Sequence, residues 1–200
     1  MNGPTTVFRD RWIWVVDKPF GLASQRTAKG EAGVLEQLRE IDASVALHHR
    51  LDQTASGLMV LARHPKANPG LARAFRDHAV EREYEAVVDG RMDSGIQRSA
   101  VDGKAAITHF TCQAQAEGMS RVRCRLETGR KHQIRIHLSL RGHPILGDRR
   151  YGGEVGRAWP RLALHAVRLA FEHPVTAEPL SFSSEVPADL APLWAVLMSS

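Results

Sequence analysis

The chain has little sulfur and no long apolar run. Its only cysteines in 200 residues are Cys112 and Cys124. That is too few for a disulfide framework, and the pair lacks the close spacing of a zinc ribbon. The two fall on adjacent strand-like segments, where a disulfide is geometrically feasible, but buried reduced thiols in a reducing compartment are the simpler expectation. No stretch approaches the ~20 apolar residues that span a bilayer. The longest early run, Trp12 to Val16, is hemmed in by Arg9, Asp10, Arg11, Asp17 and Lys18. It is too short for a signal-peptide core and lacks a small-residue cleavage site after it. These absences point to a cytoplasmic protein with no membrane partner. Repeats, low-complexity tracts and linkers are also lacking, so a single domain over residues 1–200 is the simplest organisation.

What is present is an ordinary globular composition, 43% hydrophobic and 24% charged, enough for one large domain or two small ones. The net charge of +5 weakly favours a polyanionic partner such as nucleic acid. Arginine far outnumbers lysine, a bias that genome composition explains as well as phosphate binding does.

Apolar patterning predicts a strand over Val7 to Val16, ended by the turn Asp17-Lys18-Pro19-Phe20-Gly21-Leu22. A helix is predicted over Gly30 to Ile41, with Val34, Leu35, Leu38 and Ile41 on one face. His64 to Pro69 breaks the chain, and Leu71, Ala74, Phe75 and His78 mark a second amphipathic helix. A strand follows over Val80 to Val88, then a loop over Asp89 to Lys104. Ala105 to Gln115 and Ser120 to Glu127 read as a hairpin about Glu117-Gly118. Further strands are read at Leu162 to Leu164, Val167 to Phe171 and Leu180 to Ser183. Leu190, Leu193, Trp194 and Leu197 close the chain as a helix.

One stretch organises the chemistry: His48 to Arg63, HHRLDQTASGLMVLAR. Its second half, Leu58 to Ala62, reads as a buried strand. Its first half is a polar hook that presents Asp52, Arg50, the hydroxyls of Thr54 and Ser56, and Gly57 where the backbone turns. On spacing alone, an exposed Asp–Arg pair on a turn is the stronger account. The second stretch runs from Thr128 to Leu140. Ile134, Ile136, Leu138 and Leu140 alternate as in a strand, while Ile134, Leu138 and a stop at Gly142 fit a helix. Three further features carry two readings each. Lys18 is a solvated lysine or a phosphate contact, the former being commoner. Arg121, Arg123 and Arg125 share one strand face, which either tracks a phosphate backbone or is simply solvated. His132, His137 and His143 are spaced by five and six residues, not the i, i+4 spacing of a helical metal site, so no metal is expected.

Taken together these stretches resemble the RluA-type pseudouridine synthases. The family's H-R-L-D-x-x-T-S-G-L signature corresponds to His49 through Leu58, and its K-P-x-G-L turn to Lys18 through Leu22. Its K-x-Y-x-A-x-V-x-G strand corresponds to Arg82 through Gly90, and T-G-R-x-H-Q-I-R-x-H-L to Thr128 through Leu138. The G-H-P-I-L-G-D-x-x-Y-G element follows at Gly142 to Gly152, with L-H-A at Leu164 to Ala166 and H-P at His173-Pro174. The match covers about Val7 to Pro187 in the family's order, and five motifs in order are specific where one is not. Ala55 stands where the family usually has Thr, Arg82 where it has Lys, and Asp17 where Asn is frequent. The segment from Gly90 to Gly103 is shorter than in many relatives, and no small RNA-binding module is expected upstream.

The resemblance implies an α+β fold: a pseudouridine-synthase-like catalytic domain with a mixed, largely antiparallel central sheet and flanking helices. It also implies isomerisation of specific uridines in ribosomal or transfer RNA to pseudouridine, by a cytoplasmic monomer. The base leaves the anomeric carbon, turns, and rejoins through ring carbon 5, so no cofactor is needed. Asp52 is the implied catalytic carboxylate, as nucleophile at the anomeric carbon or base at the 2′ position. Arg135 is implied to keep Asp52 ionised and Tyr84 to stack on the target base, the three meeting in one cleft. Arg50 is implied to fill the space a flipped base leaves. His49, Thr54, Arg130, His132 and Gln133 complete the implied substrate-binding set. By the same analogy Ile134 to Leu140 is a short helix, against the alternation. The rival readings are a non-catalytic RNA-binding module, a nucleosidase or glycosidase, which needs two carboxylates, and a zinc hydrolase.

Overall fold

Asp10 splits the stretch read as one strand, Val7 to Val16, into two. In the computed structural model, which describes residues 3–154, 156 and 159–197, its carboxylate accepts hydrogen bonds from the backbone N–H groups of Trp12 and Ile13, both at 2.7 Å. Local bonding of this kind favours a turn over a continued strand. The described elements are, in chain order, β1 (Thr5–Arg9), β2 (Ile13–Lys18), α1 (Val34–Arg39), β3 (Ala46–Leu47), β4 (Ser56–Ala62), α2 (Asn68–Arg76), β5 (Glu81–Asp89), β6 (Gly95–Arg98), β7 (Ile107–Ala116), β8 (Met119–Leu126), α3 (Gln133–Leu140), β9 (Leu164–Glu172), β10 (Pro179–Ser183) and α4 (Ala191–Val196). They fall into two compact units, residues 3–81 with 168–184 and residues 82–167 with 185–197.

In the first unit β1, β2 and β4 pair antiparallel in that order, and β3 adds to β4. Every residue of β4 is buried, as expected of an unbroken apolar run. Ile13 and Val15 join Leu58, Val60 and Ala62 in a core that takes in Ala67, Leu71, Leu169 and Phe171. Helix α1 is shorter than Gly30 to Ile41 because Gly33 caps it. A side chain on Gly33 would lie 2.6 Å from the Ala23 carbonyl oxygen. The backbone of Ala23 and Ser24 instead accepts from the N–H groups of Val34 and Leu35, at 2.8 and 3.1 Å. Pro69 starts a helix where a break was expected: it lies in the first turn of α2, where its missing N–H leaves no bond unmade. The two strands read between Leu162 and Phe171 are one, β9. Its second half pairs with β10 across a turn in which His173 Nδ1 accepts from the N–H groups of Val175 and Thr176.

In the second unit β5, β8, β7 and β6 pair antiparallel in that order. The β7–β8 hairpin turns at Glu117 and Gly118 with φ of 49° and 72°, the positive pair that matches strand twist. β6 lies within the segment expected to be a loop. It has four residues with Ile96 as its sole large apolar one, so it leaves no periodic trace. Tyr84, Val122, Cys124, Thr108 and Phe110 are buried on one sheet face. Cross-strand registry puts Glu83, Glu85, Arg123, Arg125, His109 and Thr111 on the other. The closing helix α4 docks through Trp194, whose indole N–H donates to Glu85 Oε2 at 2.6 Å. Both cysteines are free, and burial, helped by Glu85, pushes the Cys124 thiol pKa up.

Candidate active site

Asp52 lies in the first unit on the hook that enters β4. Each neighbour of Asp52 in the chain is held through its backbone. The Ser24 hydroxyl accepts from Leu51 N–H at 3.0 Å and donates to the Leu51 carbonyl at 2.8 Å. The Gln53 carbonyl accepts from Gly21 N–H at 2.9 Å, and the Gln53 side-chain amide donates back to the Gly21 carbonyl at 3.0 Å. A turn closes over Asp52 itself, Ala55 N–H donating to its carbonyl at 3.1 Å. Gly57, at the entry to β4, has φ of 114°, a conformation that a side chain would strain. The carboxylate is thus half-buried on a loop with little freedom.

Lys18 holds this loop, and it is not the solvated residue expected. Its side chain is fully buried. Nζ donates to the carbonyls of Pro19 at 3.0 Å, Leu22 at 2.8 Å and Gln53 at 3.4 Å, and to that of Ala55. One amino group therefore joins the Pro19–Leu22 turn to the hook on either side of Thr54. The other hook residues divide by exposure. Arg50 and Thr54 are exposed. His49 is turned inward: its ring stacks on Phe75 with centroids 4.3 Å apart, and Nε2 accepts from Val60 N–H at 3.0 Å. His48 Nε2 meets Asn68 Oδ1 at 2.8 Å. These contacts give both histidines structural bonds at the base of the hook.

Tyr84, Arg130, His132, Gln133 and Arg135 belong to the second unit. Tyr84 is mid-strand in β5, opposite Cys124 and buried. The stretch with alternating isoleucines and leucines is helix α3. Ile134 and Leu138 are buried, Ile136 is half-buried and Leu140 is 62% exposed. The alternation misleads because the intervening polar residues Gln133, Arg135 and His137 are buried too, each with partners. Gln133 makes four hydrogen bonds within the unit: its carbonyl accepts from Thr128 Oγ1 and Arg130 N–H, and its amide donates to the Ile107 carbonyl and Thr108 Oγ1. Its bonding capacity is spent on holding α3 to β7 rather than offered to a substrate. His137 joins the same chain, Nδ1 meeting Thr108 Oγ1 at 2.9 Å and Nε2 the Ser99 carbonyl at 3.1 Å. Burial lowers the His137 pKa, against a smaller upward pull from the Ser99 carbonyl. Gly142 ends the helix at φ of 78°, with His143 N–H donating to the Leu138 carbonyl and Gly142 N–H to that of Ser139.

Arg135 is forked onto Asp148. Nε donates to Oδ2 and Nη2 to Oδ1, each at 2.8 Å, and both residues are buried. Burial alone would raise the Asp148 pKa. The guanidinium and the N–H groups of Arg150 and Tyr151 outweigh it and hold the carboxyl below its usual range. Tyr151 completes the cluster: its ring lies 5.1 Å from the Arg135 guanidinium, and its hydroxyl meets His132 Nδ1 at 2.9 Å. His132, with φ of 58°, is the N-cap of α3. Arg130 reaches back to the Ala105 carbonyl. His132, His137 and His143 thus bond to Tyr151, Thr108 with Ser99, and Asp89. Among the described residues no group of three His, Cys, Asp or Glu side chains is placed to hold a metal ion.

The candidate residues therefore form two sets, His49, Arg50, Asp52 and Thr54 in one unit and Tyr84, Arg130, His132, Gln133 and Arg135 in the other. Reading the chain by residue type missed Lys18, Ser24, Asp148 and Tyr151 as positioning groups. Traces of them were present: Lys18 beside a Pro-Gly turn, and Asp148 between close-set glycines. A side chain on Gly147 or Gly156 would overlap the backbone of Arg161 or of Asp148, so those glycines mark a tightly wrapped loop.

Comparison with known proteins places this architecture. The family model for RNA pseudouridylate synthase matches residues 12–140. The ribosomal large subunit pseudouridine synthase D of Zymomonas mobilis is 35% identical over 97% of this chain and 73% of its own length. The protein of the same name from Vibrio vulnificus is 41% identical over 74% of this chain and 54% of its own, so the chain spans about half of that relative. Human RNA pseudouridylate synthase domain containing 4 shares the fold, with a TM-score of 0.77 at 23% identity, covering 95% of this chain and 93% of that one. Human RNA pseudouridylate synthase domain containing 1 does so at 0.74 and 24%, covering 99% and 96%. The fold is that of an α+β RNA-modifying isomerase with a mixed, largely antiparallel sheet. The chain belongs to the RNA pseudouridine synthase family.

Proposed function

We propose that this chain converts uridine to pseudouridine in ribosomal RNA, with Asp52 as the catalytic carboxylate. The observation that carries the proposal is the clamp on the hook. Leu51, Gln53 and Ala55 are all bonded through their backbones to Ser24, Gly21 or Lys18, which is how a reacting group is held in one geometry. The bond from the sugar's anomeric carbon to N1 breaks, the base turns, and carbon 5 bonds to the anomeric carbon. Carbon 5 then gives up its proton and N1 gains one, so the reaction needs no oxidant, reductant or group donor. Asp52 either adds to the anomeric carbon or removes a 2′ proton. The motif correspondence assigns Tyr84 as the ring against the base, Arg135 as the cation that favours an ionised Asp52, and exposed Arg50 as the flipping residue. Ribosomal RNA is preferred over transfer RNA because the relatives at 35 and 41% identity are named for the large ribosomal subunit. The enzyme acts as a monomeric, single catalytic domain in the cytoplasm.

The test is direct. Purified protein is incubated with large-subunit ribosomal RNA and, separately, with transfer RNA transcripts, and pseudouridines are mapped by reverse transcription after chemical derivatisation. Product in the ribosomal transcript is expected. Product only in transfer RNA overturns the substrate, and none in either overturns the activity. Asp52→Asn keeps the size of the side chain, removes its charge, and should abolish turnover. A residual rate within tenfold of the unsubstituted protein would remove Asp52 from this role.

A further inference from the structure

We propose that Phe20 is a stacking platform for an unpaired RNA base flanking the target uridine, a positioning residue for the reaction assigned above, on which this inference rests. Phe20 is 40% exposed, more than any other phenylalanine, tyrosine or tryptophan among the described residues. The motif shared with the family, K-P-x-G-L, leaves its position open, so the residue is a property of this chain rather than of the shared pattern.

What distinguishes it from a stray surface residue is its mounting. Pro19 restricts the backbone before it, and Gly21 follows with φ of 84°. Gly21 exchanges two hydrogen bonds with Gln53, 2.9 and 3.0 Å long. Lys18 Nζ donates to the carbonyls of Pro19 and Leu22, which flank Phe20, and to those of Gln53 and Ala55 on the hook. The turn bearing Phe20 and the hook bearing Asp52 are thus one rigid piece, and a base lying on the ring is set at a fixed reach from the carboxylate. Arg50, Gln53 and Thr54 on the hook are exposed as well, leaving a cation and polar groups for the backbone of the same strand. A part-exposed ring on a turn hydrogen-bonded to the loop that carries Asp52 suits a single-stranded base. Stacking needs only a π-face and tolerates any base, so it fixes placement rather than sequence.

The test compares Phe20→Ala and Phe20→Trp, each in the Asp52→Asn background so that no turnover occurs. Binding is measured to the ribosomal stem-loop in which pseudouridine is mapped, and to two versions with an abasic site on one or the other side of the target. Stacking energies of about 1–3 kcal/mol predict a 5- to 150-fold weaker Kd for Phe20→Ala, and near-normal binding for Phe20→Trp. On one of the abasic RNAs the difference between phenylalanine and alanine should vanish. Equal binding of the phenylalanine and alanine proteins to intact RNA overturns the proposal. So does a loss in Phe20→Trp equal to that in Phe20→Ala, or a difference that persists on both abasic RNAs. Absence of pseudouridine with the unsubstituted protein is a separate failure, that of the activity: it leaves no target uridine for a base to flank and overturns this inference along with the reading it rests on.

Discussion

The guanidinium of Arg135 grips the Asp148 carboxylate through two parallel hydrogen bonds, both 2.8 Å long and both buried. Arginine presents a rigid planar fork to a carboxylate; lysine presents one point charge. Arg135→Lys would leave one Asp148 oxygen without that partner in a buried site. It should therefore behave nearly as badly as Arg135→Ala, lowering stability by about 3–5 kcal/mol, the usual cost of breaking a buried pair, and cutting turnover with it. Denaturant unfolding and single-turnover rates check this. A lysine variant of normal stability and activity would show that Arg135 supplies positive potential only.

Lys18→Met tests the clamp. Methionine is unbranched like lysine, one atom shorter, and has no group that donates to a carbonyl. The Leu22 and Ala55 carbonyls would lose their partner, at about 1–3 kcal/mol for each group left buried and unsatisfied. The expected signature is a drop in kcat together with a rise in KM, because the loop that loosens carries Asp52 and also the exposed Arg50, Thr54 and Phe20. An unchanged kcat in a folded Lys18→Met protein would separate the clamp from catalysis.

Lys18 and Arg135 also mark the boundary between what local sequence encodes and what only the fold brings together. The hook, the strand after it and the β7–β8 hairpin were legible because apolar runs, glycine and alternation each report a local choice of backbone. The partners of Lys18 and Arg135 were not, since they come from carbonyls and carboxylates brought near by folding, which residue type does not mark. Helix α3 was ambiguous for a related reason. Burial of Gln133, Arg135 and His137 depends on bonds to Thr108, Ser99 and Asp148, so the polar half of the pattern pointed outward when it lies inward. β6 was missed because four exposed-edge residues carry no period, and Asp10 was underread as a strand residue when it is a turn acceptor. The family resemblance supplied the helix at 134–140 and the roles of Asp52, Tyr84 and Arg135; composition and spacing did not.

Acid should weaken the second unit in two stages. His137 is held neutral by burial, with its folded pKa below the ordinary 6.5. The unfolded chain then takes up a proton first, so stability is full above about pH 6.5 and falls as pH drops below it. Asp148 likewise has a folded pKa below the ordinary 3.8. Its contribution is present above that value and is lost as the carboxyl protonates at lower pH. Melting temperature should therefore decline between pH 7 and 5, and His137→Asn should flatten that decline while lowering the plateau. A slope identical in the variant would place the acid sensitivity on other histidines.

The arginine face of β8 should contribute to RNA binding unevenly. Arg123 is already paired with Glu83 at 3.2 Å and with Glu85, and these partners help raise its pKa against the opposing effect of burial. A guanidinium held between two carboxylates releases few counterions when RNA approaches, since its charge is neutralised before binding. Arg125 is exposed on the same face, across the strands from Glu83 and His109. Each phosphate contact contributes about 0.7 to 0.9 to the slope of log Kd against log salt. Arg123→Ala is accordingly expected to leave that slope unchanged while lowering stability, because Glu83 and Glu85 each lose one ion-pair partner. Arg125→Ala is expected to leave stability unchanged and to reduce the slope by one contact at most. Binding measured from 50 to 300 mM salt, alongside thermal melts, decides it. A slope reduced by a full contact in Arg123→Ala would mean that RNA displaces the two glutamates, and that this face tracks the phosphate backbone after all.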